Sequence, residues 1–210
     1  MFSRSSDSRK GNMMKKLILT DVDGVLLDWE EGFRIWMEHE YGYTRCGDLT
    51  AYRLADHYEL PEPVIWDRVV EFNSSAHAAF LRPHGEAGHY IKRLADKGFR
   101  FVTCTSFGGT TASQALRRYN LESLFGDVFE EHNIIELCGN KREVLARWEG
   151  EQLWWIEDNL HNAKIGLELG LRPILMEHTH NADADEDFIL KARGWREVYT
   201  IITGEEEYAD

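Results

Sequence analysis

Short apolar runs alternate along this chain with longer segments in which apolar residues recur at helical spacing. Runs of the first kind are typical of buried strands, and the recurring pattern is typical of helices with one buried face. The runs predict strands at residues 17–19, 99–104, 127–129, 153–156, 172–176 and 197–202. The helical spacing predicts helices at residues 28–41, 61–80, 86–97, 110–119, 141–148 and 162–169. Strands that alternate with helices indicate an α/β fold, a Rossmann-like parallel sheet with helices on both faces.

The first two predicted helices follow one another without a strand between them, which indicates a small, mostly helical insertion after the first strand. The first residues of the chain are rich in Ser, Arg, Asp and Gly without an apolar core, so they predict a disordered leader rather than a secretory signal. The last residues form an acidic run, which predicts a solvated tail. The predicted organisation is a leader at 1–13, an α/β core at 14–27 and 82–204, a helical insertion at 28–81 and a tail at 205–210.

The chain has 210 residues and a formal net charge of −13 at pH 7. So acidic a protein fits neither an extended nucleic acid nor an anionic membrane surface as a partner. A small anionic substrate is not excluded, because a metal ion and a few cations can reverse the potential inside one pocket. The cysteines are few and widely spaced, and no segment is long and apolar enough to span a membrane. We therefore expect a cytoplasmic protein, and a homodimer remains open.

Two carboxylates, Asp21 and Asp23, follow the first predicted strand directly. At the end of a strand the chain leaves the pleat, so both side chains reach the same pocket, and Gly24 lets the backbone turn sharply beyond them. Such a pair predicts a site for a metal and an anionic substrate, with one Asp as nucleophile and the other handling a proton. The alternative is a polar turn without chemistry, because Asp-Gly pairs are common turn formers.

Polar residues also follow two other predicted strands. Thr105 and Ser106 come after the second strand, Glu157 and Asp158 come after the strand at 153–156, and Lys141 lies at a predicted helix start. Each has an ordinary alternative: the hydroxyls and the acids could cap the following helices, and the lysine could be a solvated cation. Ligands of parallel sheets bind at the carboxyl ends of the strands, so the set as a whole predicts one site.

These residues resemble the motifs of the haloacid dehalogenase (HAD) superfamily of phosphohydrolases, over residues 16–176. Asp21-Val22-Asp23-Gly24-Val25 is similar to the first motif, Thr105 to the second, Lys141 to the third and Glu157-Asp158 to the fourth. The resemblance implies that the helical insertion is a cap over the site. It also implies that Asp21 is a nucleophile that forms an aspartyl-phosphate, and that Asp23 protonates the leaving oxygen and then activates water. Thr105, Ser106 and Lys141 would bind the phosphoryl group.

The resemblance also implies a magnesium ion as cofactor. Its protein ligands would be Asp21, the backbone carbonyl of Asp23, and Asp158. A hard divalent cation prefers such oxygen ligands and keeps several waters. The chain departs from the usual pattern at Asn162, where the superfamily commonly has an acidic residue one turn after the fourth-motif aspartate. An asparagine there lowers the negative charge around the ion, and the property that this change affects is the affinity for the metal.

Within the superfamily the run from Asp21 to Glu30, the Cys104-Thr105-Ser106 triplet and the adjacent acids Glu157-Asp158 are most similar to the 5'(3')-deoxyribonucleotidases. This similarity implies a 5'-nucleotidase acting on (deoxy)nucleoside monophosphates. It places Trp29 against the nucleobase, whereas the alternative for Trp29 is an aromatic residue of the core or insertion. Phe33 and Trp36 are expected to be packing residues.

Other functions remain open at this point. One is a phosphatase of a sugar phosphate or another small metabolite, and another is a phosphate-binding protein without catalysis on the same scaffold. His178 and His180 lie in an acidic segment and could be taken for metal ligands. We interpret that segment as a solvated loop.

Overall fold

One sheet of six parallel strands forms the centre of the part of the chain that the structure describes. The computed structural model describes residues 16–206, so the predicted leader and all but residues 205 and 206 of the predicted tail lie outside the described residues. The strands are β1 Leu17–Thr20, β2 Arg100–Ser106, β3 Phe129–Ile135, β4 Trp154–Glu157, β5 Arg172–Met176 and β6 Leu190–Ala192. They lie in the order β3-β2-β1-β4-β5-β6. The predicted α/β fold is confirmed.

Helices cover both faces of this sheet. They are α1 Trp29–Tyr41, α2 Leu54–Tyr58, α3 Glu62–Ser74, α4 Ala87–Asp96, α5 Thr111–Phe125, α6 Lys141–Leu145, α7 Leu160–Glu168 and α8 Trp195–Thr203, with 3-10 turns at Ala76–Ala79, Ala146–Trp148 and Thr179–Asn181. Successive residues of β1 point to opposite faces. Ile18 packs in the apolar cluster that includes α4 and α8, whereas Leu17 and Leu19 pack in the cluster that includes α6 and α7. Within residues 16–206 no helix is long and apolar enough to cross a bilayer.

β1 lies between β2 and β4, with Thr20 beside Thr103 on one side and Ile156 on the other. The strand order reverses at β1, because β2 and β3 lie on one side of it and β4 to β6 on the other. In open parallel sheets the crevice at such a reversal, outside the carboxyl ends of the strands, is where ligands bind. The fold therefore places the residues that follow β1, β2 and β4 at one crevice.

The strand predicted at residues 197–202 is wrong, because this segment lies within helix α8. Trp195, Val198 and Tyr199 are buried, and their spacing of three and four residues is that of one helical face. Four residues of the segment, at 198, 200, 201 and 202, are β-branched, and such residues favour strands locally. The sixth strand is instead β6, a three-residue edge strand whose first residue is exposed, and too short to be recognised by its periodicity.

Two further elements differ from their predictions. β3 runs over Phe129–Ile135, whereas the sequence predicted a strand at 127–129. β3 is the edge strand opposite β6, and its polar, half-exposed residues do not form the apolar run by which a strand is recognised. Between β1 and β2 the chain forms α1, α2 and α3, and α2 lies within residues 42–60, for which the sequence predicted no element. Phe33 and Trp36 are buried against Phe72 of α3, as expected of packing residues.

Candidate active site

A cavity of about 910 Å³ opens at the carboxyl ends of β1, β2 and β4. Its walls include residues that follow these strands, residues of the helical insertion and residues of the loop after β5. It is lined by every residue that the sequence predicted for the site: Asp21, Asp23, Trp29, Thr105, Ser106, Lys141 and Asp158. Residues that are distant in sequence are thus brought together at the reversal of strand order.

The turn after β1 holds the two aspartates in place. The Asp21 amide donates to the Ile156 carbonyl over 2.8 Å, so Asp21 is still tied to β4, and the Val22 carbonyl accepts hydrogen bonds that close the turn. Gly24 has a φ of +73°, and a Cβ atom there would lie 2.4 Å from Oδ2 of Asp158. A glycine is therefore needed at this position for the backbone conformation and for the close approach of the two loops.

We expect Gly24→Ala to lower activity as well as stability. A non-glycine residue in the left-handed conformation lowers stability wherever it occurs, whereas the loss of activity is specific to this position. The matched control is Gly42→Ala, because Gly42 has a φ of +68° but nothing within 4 Å of an added Cβ. Both variants should lose about 1 kcal/mol of unfolding free energy from the backbone alone. Only Gly24→Ala should displace Asp158 and lose activity. Phosphate release and denaturant unfolding of both variants measure this, and equal activity in the two would contradict it.

Lys141 is not the solvated cation of the alternative interpretation. It is 4% exposed, and its Nζ lies 2.8 Å from Oδ1 of Asp21 and 2.8 Å from Oε2 of Glu157. The Asn140 side chain accepts a hydrogen bond from the Arg142 amide and so caps α6, which fixes the start of the helix that carries Lys141. The lysine is thereby held beside the proposed nucleophile.

Glu157, which the sequence placed at the site without a binding role, shapes the loop after β4. It is fully buried, and its Oε2 accepts from Lys141 while Oε1 accepts from the backbone amides of Asp158 and Asn159. Its oxygens are thus all engaged with the protein. Asn159 accepts from the Asn162 amide and so caps α7, which leaves the Asp158 carboxylate at the cavity wall. The capping alternative therefore applies to Asn159 and not to the two acids.

The buried acids outnumber the buried cation beside them. Burial and the neighbouring Glu157 raise the pKa of Asp21 to about 7, against the opposing effect of Lys141. Burial and Asp21 likewise raise the pKa of Asp158 to about 7. Burial alone would lower the pKa of Lys141, but Asp21 and Glu157 outweigh it and raise that pKa. The site therefore holds more negative charge than its lysine balances.

This excess of carboxylate fits a divalent cation. Ligand atoms of Asp21, Glu157 and Asp158 lie within 4.8 Å of one another. Oδ1 of Asp21 is buried without a hydrogen bond among the described residues, although Lys141 lies within ion-pair distance of it. An all-oxygen donor set suits magnesium. Because Glu157 is engaged by the protein, Asp21 and Asp158 are the side chains available to such an ion.

Asp23 has a partner that the sequence did not indicate. Nη2 of Arg117, on α5, donates to Oδ2 of Asp23 over 3.0 Å and lies 2.7 Å from Oδ1. Burial raises the pKa of Asp23 to about 6, and Arg117 opposes the rise. Nothing local in α5 distinguishes Arg117 from the exposed Arg118, so no sequence signal could have identified this contact.

The hydroxyls of the last two residues of β2 face the site rather than cap the next helix. Thr105 is buried and Ser106 is half-buried, and both line the cavity. The cap of α5 is Thr110, whose side chain accepts from the Ser113 amide over 3.1 Å. Neither Thr105 nor Ser106 is therefore used as a helix cap, although Oγ of Ser106 donates to the Gly139 carbonyl over 3.4 Å.

The prediction of a solvated loop fails for His178 and His180, although the acidic residues at 183 and 185–187 of the same segment are exposed. Both histidines are half-buried and line the cavity. Nε2 of His178 lies 2.7 Å from the Gly24 carbonyl, and Nε2 of His180 lies 3.2 Å from the Asp158 carbonyl. Asn181 donates to the same Asp158 carbonyl over 2.7 Å. The loop after β5 therefore contacts both the loop after β1 and the loop after β4, which its acidic composition did not indicate.

Trp29 lies at the start of α1 and lines the cavity. Its Nε1 donates to Oδ1 of Asn73 over 2.8 Å, and its ring stacks on Phe33 with centroids 4.9 Å apart and planes at 9°. One face of the indole is therefore covered by the protein. Trp29 combines packing with a position at the cavity wall, so both sequence interpretations describe part of its environment.

Comparison with solved structures identifies the fold. The chain is similar to a predicted phosphatase from Clostridium acetobutylicum (16% identity, TM-score 0.64, 91% of this chain and 100% of that one). It is also similar to a HAD-superfamily hydrolase from Ehrlichia chaffeensis (15%, 0.54, 91% and 97%). The fold is that of the HAD superfamily. A third similar structure is a D,D-heptose 1,7-bisphosphate phosphatase from B. bronchiseptica complexed with magnesium and phosphate (12%, 0.55, 90% and 98%).

Sequence comparison adds less. No protein-family model matches the chain. An uncharacterized 32.4 kDa protein of Enterobacteria phage T4, from the Gp30-rIII intergenic region, is 24% identical over 168 residues, which are 77% of this chain. The matched region spans 60% of that relative's length. The HAD-like fold therefore rests on the structural similarity.

Proposed function

We propose that this protein is a magnesium-dependent phosphomonoesterase that works through an aspartyl-phosphate. The observation that carries the proposal is the placement of Asp21, whose buried carboxylate lies 2.8 Å from Lys141 and within 4.8 Å of Asp158 at the crevice of a HAD-like fold. A nucleophilic carboxylate, a fixed cation and a second acid for the metal are the groups that phosphoryl transfer needs.

In the first step an oxygen of Asp21 attacks phosphorus and the bond from phosphorus to the ester oxygen breaks. Asp23 gives its proton to the departing oxygen, so an alcohol leaves and Asp21 carries the phosphoryl group. In the second step Asp23, now a carboxylate, takes a proton from water while the water oxygen attacks phosphorus. The bond between Asp21 and phosphorus breaks, and inorganic phosphate leaves.

Lys141, Thr105 and Ser106 would bind the phosphoryl oxygens during both steps, since all three line the cavity. Magnesium would be held by Asp21, the Asp23 carbonyl and Asp158. When bound, it neutralises charge that would otherwise repel a phosphate dianion from the nucleophile. The complete set of groups favours catalysis over a binding protein without turnover.

The helical insertion would act as the cap and supply the specificity. Trp29, Arg45, Tyr52 and Trp66 belong to it and line the cavity together with residues of the core. The indole rings of Trp29 and Trp66 offer apolar surface on which a nucleobase could stack. We infer that the substrate is a (deoxy)nucleoside monophosphate and the activity that of a 5'-nucleotidase.

The charges around the outer cavity support a monophosphate. Among the described residues that line the cavity, Arg45 is the only Arg or Lys besides Lys141, and its Nη2 lies 3.0 Å from Oε1 of Glu30. Asp28 and Glu31 add further negative charge to the wall. A second phosphate would therefore meet no unpaired Arg or Lys among the described residues of the wall. The second candidate is a sugar phosphate, which the name of the similar D,D-heptose 1,7-bisphosphate phosphatase favours.

The test is phosphate release from deoxy- and ribonucleoside monophosphates, sugar mono- and bisphosphates and p-nitrophenyl phosphate, each with magnesium and with a chelator. We expect magnesium-dependent turnover with nucleotides preferred and bisphosphates poor. Preference for sugar phosphates would replace the nucleotide proposal and leave the chemistry in place. If none of these esters were hydrolysed in the presence of magnesium, the proposed phosphatase activity would be refuted.

Trp29→Ala should lower kcat/KM for a nucleotide about 10-fold, because stacking of a base on an aromatic side chain contributes roughly 1–3 kcal/mol. Turnover of p-nitrophenyl phosphate, which has no base, should change much less. Ile35→Ala on the same helix is the control, since Ile35 is exposed and does not line the cavity. Equal losses on both substrates would show that Trp29 serves packing alone.

A further inference from the structure

Arg117 is a fully buried charge near the site, and the proposed chemistry does not use it. Its relative exposure is 0%, whereas Arg118, the next residue of α5, is exposed. Burial of a guanidinium is unfavourable unless its charge and its N–H groups are matched. Among the described residues, Nε and Nη1 of Arg117 have no hydrogen-bond partner. Stability alone does not explain an arginine at this position, because apolar side chains of similar volume commonly serve such sites as well or better.

The guanidinium has two close neighbours, and both orient it. Its Nη2 lies within 3.0 Å of both oxygens of Asp23. Its Cζ lies 3.7 Å from the centre of the Phe107 ring, in the geometry of a cation–π contact. Phe107 is itself fully buried, directly after β2. The ring supports the guanidinium from one side, and the guanidinium holds the carboxylate.

Arg117 reaches the cavity only through Asp23. The residues that line the cavity include Asp23, whose side chain is 25% exposed, but not Arg117 or Phe107. A substrate in the cavity would therefore touch the carboxylate and not the guanidinium. Arg117 cannot be a phosphate-binding residue in this arrangement, because it has no exposed atom to offer.

We propose that Arg117, supported by Phe107, is a positioning residue that holds the Asp23 carboxylate in the orientation needed for proton transfer to the leaving oxygen. The inference rests on the proposed phosphatase function. A carboxylate at the end of a short side chain can rotate, and general acid catalysis requires it within hydrogen-bond reach of the oxygen that it protonates. Contact with both oxygens from the buried side removes that rotation while it leaves the cavity side open.

The leaving group provides the test. p-Nitrophenolate departs readily without a proton, whereas phenolate is a poorer leaving group and needs the acid. Loss of a correctly placed acid should therefore lower kcat/KM for phenyl phosphate about 10-fold or more and change that for p-nitrophenyl phosphate little. The ratio of the two values within one sample does not depend on how much of the enzyme is folded.

The variants are Arg117→Met, Phe107→Leu and Asp23→Asn, with Arg118→Met as the exposed control on the same helix. Phe107→Leu keeps both charges, so it retains the test if Arg117→Met fails to fold. We expect kcat/KM for p-nitrophenyl phosphate, divided by kcat/KM for phenyl phosphate, to rise in the first three variants. In the Arg118→Met control this ratio should stay unchanged. Arg117→Met combined with Asp23→Asn should raise it no further than Asp23→Asn alone.

Equal losses on the two esters in Arg117→Met and Phe107→Leu would overturn the inference and make Arg117 a structural residue only. An additive effect in the double variant would overturn it as well, because Arg117 would then act independently of Asp23. Absence of phosphate release by the unsubstituted enzyme would instead refute the phosphatase proposal, and the role of Arg117 with it.

Discussion

Asp21→Asn should abolish phosphate release while the protein stays folded. The substitution keeps the shape of the side chain and removes the attacking carboxylate, so a loss of at least about 1,000-fold in kcat is expected for a covalent nucleophile. The measurement is turnover of the preferred ester with magnesium, with unfolding followed on the same sample. Residual turnover above a few per cent of wild type would contradict the assignment of Asp21.

The pH dependence of stability gives Asp21→Asn an independent control. The pKa of Asp21 is raised by burial and by Glu157, to about 7 in the metal-free protein, above its ordinary value of 3.8. An acid whose pKa rises on folding contributes stability at low pH and loses it as the pH increases through the folded value. Without magnesium, the wild-type protein should therefore lose stability between about pH 4 and pH 7. Asparagine does not titrate, so we expect the variant to match or exceed wild type in Tm at pH 8.

Lys141→Met should damage both stability and catalysis. It removes the cation that lies between Asp21 and Glu157, and removal of one partner from a buried ion pair costs about 3–5 kcal/mol. For a chain of this size that corresponds to a decrease in Tm of roughly 6–20 °C. Loss of a positive charge at the phosphoryl oxygens should lower kcat about 100-fold or more.

The matched control is Lys164→Met on α7, where the lysine side chain is 42% exposed and pairs with Glu186 at the surface. Such a surface pair contributes about 0–1 kcal/mol, so its removal should leave Tm and turnover nearly unchanged. The destabilisation by Lys141→Met should shrink as the pH falls, because the surrounding carboxyls become neutral. If Lys141→Met were as stable as Lys164→Met at neutral pH, the electrostatic account of the site would be contradicted.

The core of the site could be predicted from the sequence because its residues follow directly after strands. Asp21 follows β1, and Thr105 and Asp158 lie at or directly after the ends of β2 and β4, each marked by an apolar run. Strand ends of a parallel sheet meet at one edge, so position along the chain translates into proximity in space. The alternation of strands and helices likewise predicted the parallel direction of the sheet, whereas its strand order came from the structure.

The residues that sequence reasoning missed act across the fold. Arg117 lies 94 residues from Asp23, and His178 lies 154 residues from Gly24. Their contacts depend on the packing of α5 and of the loop after β5, which no local pattern encodes. α8 was mistaken for a strand for the opposite reason, because its β-branched residues carry a local preference that burial of Trp195 against β1 and α4 overrides.

The most direct test of the account is to locate a phosphoryl group on the chain. Asp23→Asn should form the aspartyl-phosphate from p-nitrophenyl phosphate and magnesium but hydrolyse it slowly, because no carboxylate takes the proton from water. Acid quenching and mass spectrometry of the peptides should then find one phosphoryl group, on Asp21, and none in the Asp21→Asn, Asp23→Asn double variant. Release of p-nitrophenol with an unmodified chain, or a phosphoryl group on another residue, would contradict the proposed mechanism.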